Sequence, residues 1–281
     1  MKLLLCTKHD LVGSMMLNAM LPRLAPRHEV RVLLANRRRP ELEAIPELAW
    51  MKCFEQDITA QVLFPLIDAA AGGATGNVEA RGATRLSFDG LSRRHGVPIT
   101  THGHITQEAL GAQVRGFAPD LIASFQFGFI FREDVLAVPP LGAINLHSGA
   151  LPHRAGVNPT FWCMKDGDAQ AACTLHRIDA GIDSGGIIDL RTLPIDYSRS
   201  FFANWMANYR QGADMLCDAI DTLASGRALP LTAQPPDEIR YVPTPTPADV
   251  QAFLAAGRRL IDPRDLLHEL RQYMGTPEVT P

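Results

Sequence analysis

Nothing in this sequence staples the chain or anchors it in a bilayer. Its five cysteines, Cys6, Cys53, Cys163, Cys173 and Cys217, are scattered, odd in number and never form a C-x-x-C pair. That excludes a disulfide framework and zinc spacing, and points to a reducing cytoplasm. No apolar run reaches the ~20 residues that span a bilayer. The opening Leu3-Leu4-Leu5-Cys6 meets Lys8, His9 and Asp10 too soon for a signal-peptide core. Surplus positive charge is also missing: 27 Lys and Arg stand against 30 Asp and Glu, a formal net charge of -3. The field that attracts a phosphodiester backbone is absent, so the expectation is a soluble protein without nucleic-acid or membrane partners. A nucleotide cradle is missing as well. The loop Gly72-Gly73-Ala74-Thr75-Gly76 follows a helical stretch and has neither G-x-G-x-x-G nor a Lys-Ser/Thr ending, so it reads as surface.

What is present is an ordinary globular composition, 46% hydrophobic and 20% charged over 281 residues. This suits one large domain with a small annex. Residues 2 to 6 read as a strand, and Leu11, Val12, Met15, Met16, Ala19 and Met20 fall on one helical face after it. Glu29 to Leu34 is a second strand, closed by Arg37, Arg38 and Arg39, which read as a solvated loop. Residues 57 to 71 predict a helix with Ile58, Val62, Leu66 and Ala70 on one side. A helical pattern from Thr106 to Val114 leads to the apolar run Asp120 to Phe125, of the kind buried on both faces of a parallel sheet. A short helix near Arg132 to Ala137 then precedes Gly142 to His147. Alternating strands and helices imply an α/β, doubly wound, mostly parallel sheet, whose ligands bind beyond the carboxyl ends of its strands. Residues 199 to 225 predict a long amphipathic helix closed by Gly226. Frequent prolines from Pro230 to Pro247 and a last helix over Pro263 to Met274 follow. The expected division is a domain of residues 1–195 and a small C-terminal subdomain of residues 196–281.

Strand alternation places Asn145 and His147 on one face and Ile144 and Leu146 on the other. Two polar side chains at the end of an apolar strand need partners, because an unpaired buried group costs ~1–3 kcal/mol. They are followed by Ser148-Gly149-Ala150-Leu151-Pro152, and later by Asp179-Ala180-Gly181-Ile182-Asp183-Ser184-Gly185. The pattern I-N-x-H-x-x-x-L-P, with D-x-G-x-D-x-G-x-x-I some thirty residues later, resembles the folate-dependent formyltransferases. That family includes the glycinamide ribonucleotide and methionyl-tRNA enzymes. The upstream segment Phe127-Gly128-Phe129-Ile130-Phe131 strengthens the resemblance.

The resemblance implies a Rossmann-like formyltransferase fold and a catalytic set of Asn145, His147 and Asp183. It implies 10-formyltetrahydrofolate as formyl donor, held by Phe127, Gly128, Phe129, Ile130 and Phe131 and by Asp179, Ala180, Gly181 and Ile182. The residue types suit that chemistry. Amine attack on a formyl carbon creates an oxyanion, and a carboxamide NH₂ is a fixed neutral donor to it. An imidazole can donate or shuttle a proton near neutral pH, and a carboxylate beside it favours its charged form. The phenylalanines also read as ordinary core packing at a strand end, and the two readings are compatible.

The chain departs from the family where His153-Arg154-Ala155-Gly156 replaces the usual aromatic-Arg-Gly, which alters the acceptor-side loop. His147 and His153 lack an acidic or cysteine third ligand, so no metal is expected. His102 and His104 read as surface or loop residues, and His176 as a structural hydrogen-bonding group. The expected partner is a small-molecule amine; the oligomeric state stays open. The resemblance leans towards enzymes that formylate the hydroxylated side-chain nitrogen of ornithine in siderophore biosynthesis. A nucleotide-linked amino sugar is the alternative acceptor. A methionyl-tRNA enzyme is disfavoured by the missing basic surface, and a catalytically dead folate-binding relative by the presence of all three catalytic residue types.

Overall fold

The computed structural model describes residues 1–36, 39–72, 83–103 and 106–274. The glycine-rich loop from residue 73, Arg37 and Arg38 of the basic cluster, and His104 lie outside the described residues. The chain begins with β1 (Lys2–Lys8), α1 (Leu11–Leu24), β2 (Glu29–Ala35), α2 (Pro40–Glu43), α3 (Pro46–Lys52), a wide helical stretch Cys53–Leu63 and α4 (Phe64–Gly72). Next come α5 (Phe88–His95), β3 (Ile99–His102), α6 (Gln107–Phe117), β4 (Leu121–Phe125), α7 (Glu133–Leu136) and β5 (Ala143–His147). Then follow β6 (Ala155–Gly156), α8 (Pro159–Asp166), β7 (Gln170–Arg177) and β8 (Ile187–Pro194). The remainder is α9 (Phe201–Ala224), β9 (Tyr241–Val242), α10 (Pro247–Ala255) and α11 (Pro263–Met274).

Seven strands form one sheet in the order β3-β2-β1-β4-β5-β7-β8. β1 to β5 run parallel, while β7 pairs antiparallel with β5 and β8 antiparallel with β7. The α/β doubly wound architecture expected from sequence is therefore present. Strand order reverses at β1, which lies between β2 and β4, and this is where open α/β sheets carry their crevice.

Alternation along the strands sorts the core into two layers. Leu3 and Leu5 of β1 join Ile144 and Leu146 of β5 in a cluster with the buried sides of α1 and α9. Leu4 and Cys6 join Ala143, Ile122 and the α6 residues Leu110, Val114 and Phe117 on the opposite face. Asn145 and His147 thus share a face at the carboxyl end of β5, as the period of two requires. The Asp10 side chain caps α1 by accepting the Gly13 N–H at 2.8 Å, and Ser200 caps α9.

α9 follows the division expected near residue 195, yet its Phe202, Met206, Leu216 and Ile220 lie in the same core cluster as β1 and β5. Its Asn208, fully buried, donates to the carbonyls of Ala172 at 2.8 Å and Ser148 at 3.3 Å. One side chain therefore ties the long helix both to β7 and to the loop that follows His147.

Of the stripe expected on residues 57–71, Ile58, Val62 and Leu66 are exposed and the Ala70 side chain lies outside what the structure describes, while the buried residues of the wide stretch are Glu55, Gln56 and Thr59. A helix with i→i+5 bonding advances differently from the 3.6-residue period, so the face computed from that period is not the face that is buried. The inward polar residues have partners: Glu55 pairs with Lys52, Gln56 donates to Asn36, and Thr59 donates to the Phe54 carbonyl at 2.8 Å.

Replacing Asn208 by alanine leaves two buried carbonyls without this donor, an expected loss of about 1–3 kcal/mol. Urea unfolding of the Asn208→Ala protein checks this; a midpoint equal to that of the wild type would show that the tie carries no stability.

Candidate active site

The strand ends deliver the polar groups and the loops between them are held by hydrogen bonds. Ser148 O accepts from Thr160 Oγ1 at 3.2 Å, and Thr174 Oγ1 donates to Gly149 O at 2.6 Å. At Gly149 a Cβ would sit 2.5 Å from the Arg154 carbonyl oxygen and 2.8 Å from His147 Nε2, so only glycine fits. This close approach lets His147 Nε2 donate to the Arg154 carbonyl at 2.8 Å. A carbonyl only accepts, so the proton on Nε2 is committed and Nδ1 is left facing Asp183 Oδ2 at 3.5 Å. The pair has room for one further proton between nitrogen and carboxylate.

Asn145 is oriented by His176. The His176 Nδ1–H donates to the Arg177 carbonyl at 2.7 Å, which leaves Nε2 as acceptor for the Asn145 amide at 3.1 Å. Burial holds His176 below the ordinary imidazole range, against the opposing pull of Asp183. A neutral His176 is the form this hydrogen bond needs. One Asn145 N–H is used in this way and the second remains for a ligand.

Asp183 has φ of +53°, a left-handed conformation uncommon for non-glycine residues but more accessible to Asp than to most. Its Oδ2 accepts the Gly156 N–H at 3.0 Å, and its Oδ1 lies 3.6 Å from His176 Nε2. The C-terminal segment braces the loop from outside. Gln234 donates to the carbonyls of Asp183 and Gly185 at 2.9 and 2.7 Å, and the Tyr241 hydroxyl to the Ile182 carbonyl at 3.0 Å. β9 pairs with β6 across Gly156, where a Cβ would lie 2.5 Å from the Val242 oxygen.

These groups open onto a cavity of about 580 Å³ at the carboxyl ends of β1, β4 and β5. That volume suits a metabolite-sized ligand, for which ~300–1,000 Å³ is usual. Of the residues singled out by sequence, Asn145, His147, Asp183, Phe127, Gly128, Phe129, Ile130, Phe131, Asp179, Gly181 and Ile182 line it. Ala180 is exposed and is not in its walls. The stacked Phe127 and Phe131 rings, 5.5 Å apart, are also buried in the core layer beside α6, so the packing and cavity readings of this segment both hold. Asp179 accepts from Gly181 N at 3.0 Å and Ser184 Oγ at 2.8 Å, shaping the loop that carries Asp183.

Lys8, Lys52, Trp205, Tyr209 and Tyr241, none of them a site expectation from sequence, line the same cavity, together with His176, read as a structural hydrogen-bonding group, and Arg39, read as part of a solvated loop. Lys8 closes β1 and Trp205 and Tyr209 lie one turn apart on α9; neither pattern differs from ordinary strand-end and core signals. Burial lowers the Lys8 ammonium to about 8 and raises the Asp10 carboxyl to about 7. Lys52 pairs with the fully buried Glu55 and lies 5.1 Å over the Trp205 ring. Glu55 also accepts from Gln126 at 3.3 Å.

The buried neutral state of His176 has a pH consequence. Its folded pKa is depressed, so the unfolded chain binds more protons once pH falls below the ordinary value near ~6.5. The stability from this group is complete above that pH and is lost as pH falls through the window below it. Denaturation midpoints of the wild type and a His176→Phe protein, compared from pH 8 to pH 5, should converge towards the acid end. Parallel curves would show that His176 is not held neutral.

Comparison with known proteins bears on this site. Residues 80–202 match the formyl transferase family model. A methionyl-tRNA formyltransferase of Trichlorobacter lovleyi is 31% identical over 153 residues, covering 54% of this chain and 48% of its own length. One of a Roseiflexus species is 35% identical over 147 residues, covering 52% and 44%. The chain thus spans about half the length of the curated relatives it matches. Among solved structures, a 4-N formyltransferase from Francisella tularensis has a TM-score of 0.56 at 14% identity, covering 91% of this chain and 87% of that one. That likeness is one of fold.

Proposed function

We propose that the chain is a folate-dependent formyltransferase, as its match to the formyl transferase family model over residues 80–202 supports, and that it moves the formyl group of 10-formyltetrahydrofolate to an amine of a small metabolite. The observation that carries this reading is the convergence of Asn145, His147 and Asp183 on one cavity, with a proton-accepting gap of 3.5 Å between the last two. The walls suit the donor. Phe127 to Phe131 and the Asp179 to Asp183 loop offer aromatic surface and an irregular backbone on which a flat, amide-like pterin can bind. When bound, the donor supplies the formyl carbon and its oxygen.

The chain's own groups supply the rest. The free N–H of Asn145 stabilises negative charge on the formyl oxygen as an amine adds, and His176 keeps that amide from rotating away. His147, whose Nε2 proton is committed to the Arg154 carbonyl, offers Nδ1 as the group that takes up and returns a proton. The amine becomes more acidic as its lone pair is used, and its proton passes into the gap between His147 Nδ1 and Asp183. Contacts of this length tighten when a complex forms. Asp183 keeps its position because the Gly156 N–H and the Gln234 braces hold the loop independently of ligand.

For the acceptor, the reading favoured is the hydroxylated side-chain nitrogen of hydroxyornithine, with a role in hydroxamate siderophore biosynthesis. The charged wall of Lys8, Arg39 and Lys52 beside the aromatic Trp205 and Tyr209 supports an acceptor with a charged head and an aliphatic chain. The altered His153-Arg154-Ala155 loop supports an acceptor outside the purine branch; its Arg154 turns away to pair with Asp166 and Asp168 at 2.6 and 2.8 Å.

Incubation with 10-formyltetrahydrofolate and a panel of amines, following release of tetrahydrofolate, tests the function; hydroxyornithine should be the preferred acceptor over nucleotide-linked amino sugars. Asn145→Ala should lower kcat by roughly 10²- to 10³-fold, the loss typical of one such donor. Folate affinity measured by calorimetry should change little, since the donor acts on charge that appears in the transition state. An Asn145→Ala enzyme with near-normal turnover would overturn the assignment.

A further inference from the structure

Lys8 stands apart from the other charged residues of the cavity. It is nine-tenths buried, it lines the cavity, and its ammonium makes no hydrogen bond or ion pair with any described residue. Of the acidic neighbours that act on it, Glu55 is held by Lys52 and Gln126, while Asp10 caps α1 through Oδ1 and keeps a buried Oδ2 that accepts no hydrogen bond; Arg39 and Lys52 add like charge. A buried ammonium without a partner is costly unless a ligand supplies the missing charge. Its pKa lowered to about 8 reports the same deficit, since an anion placed beside it would restore the charged form.

We propose that Lys8, flanked by Lys52, is the subsite for a carboxylate of the acceptor, so that the enzyme selects an α-amino acid by its acid group. This rests on the formyltransferase reading above and identifies the end of the acceptor that does not react. Three features favour a carboxylate over a phosphate. Three cations, Lys8, Lys52 and Arg39, stand against the two carboxylates of Asp10 and Glu55, which leaves one positive charge and so suits a single negative one. The N-terminus of α1, where a phosphate would collect backbone N–H groups, is already filled by the Asp10 side chain. Asp10 and Glu55 would also repel a dianion. Beside Lys8 and Lys52, the rings of Trp205 and Tyr209 offer an apolar wall for a methylene chain between the acid group and the nitrogen presented to Asn145.

Lys8 also borders the proposed folate wall, its Cε lying 3.6 Å from where a Gly128 Cβ would be. A donor contact would make Lys8 a folate residue, and the test separates the two.

Two measurements are made on the wild type, Lys8→Met and Lys8→Arg. Calorimetry gives the affinities for L-ornithine, for putrescine, which is the same diamine chain without the carboxylate, and for 5-formyltetrahydrofolate. Turnover compares N5-hydroxy-L-ornithine with N-hydroxyputrescine. The wild type should prefer the carboxylate-bearing member of each pair by roughly 30-fold or more, the least expected for a buried charge pair. Lys8→Met should lose that preference and Lys8→Arg keep part of it, while both bind the folate with wild-type affinity, which also shows that they are folded. A preference that survives in Lys8→Met overturns the subsite even if hydroxyornithine is formylated. Loss of folate affinity with the preference intact assigns Lys8 to the donor and also overturns it. Ornithine binding that depends on Lys8 without turnover of hydroxyornithine upholds the subsite and rejects the proposed acceptor. If the wild type binds no ornithine and formylates a nucleotide-linked sugar, both fail.

Discussion

The carboxylate of Asp183 is where the structure converges. It accepts the Gly156 N–H and faces the ring nitrogens of both His147 and His176. To do so it adopts a left-handed backbone conformation, which Asp reaches more readily than most L-residues. The surrounding contacts hold it there. Gln234 and Tyr241 come from the far end of the chain to fix the loop's carbonyls, and β9 holds the strand that presents Gly156. The C-terminal segment is therefore part of the site's scaffold, although it contributes few side chains to the cavity wall.

Two regimes of electrostatics meet around the cavity. On the side of β5 and β7, polar groups are chained so that each hydrogen-bond direction is determined by its neighbour: Arg177 carbonyl, His176, Asn145, and separately Arg154 carbonyl and His147. Such chains position a donor without adding a fixed charge, and they leave one place where a proton can be accepted. On the side of β1, fixed charges are buried together, Lys8 and Lys52 against Asp10 and Glu55, where desolvation makes each sensitive to what binds. The first regime suits a reaction and the second suits recognition. Both lie at the reversal of strand order, where β1 and β4 leave a crevice open.

The sheet was readable because parallel strands buried on both faces appear as continuous apolar runs, and Leu121 to Phe125 is one. Helix Pro263–Met274 and the long helix Phe201–Ala224 were likewise readable from their period and stop signals. Residues 57–71 were misread in orientation. The burial of Glu55, Gln56 and Thr59 beneath exposed Ile58 and Val62 follows from a wide helical geometry and from ion pairing with Lys52, and neither leaves a mark on the hydrophobic pattern. Lys8 was passed over for a similar reason. A lysine at the end of an apolar strand looks like a solvated terminus unless the neighbouring strand and helix are known to cover it.

What the sequence by itself determined is local and short in range. The period of two put Asn145 and His147 on one face, glycines marked turns, and spaced motifs marked the Asp183 loop, because these depend on backbone geometry within a few residues. What only the tertiary structure decided is which distant groups complete them. His176 turns the Asn145 amide, Arg154 O accepts the His147 hydrogen bond, Gln234 braces Asp183, and Trp205 and Tyr209 line the same cavity as Lys8. Hydrogen-bond direction, desolvation and charge balance are properties of neighbours in space, and the fold brings these neighbours together from positions far apart in the chain.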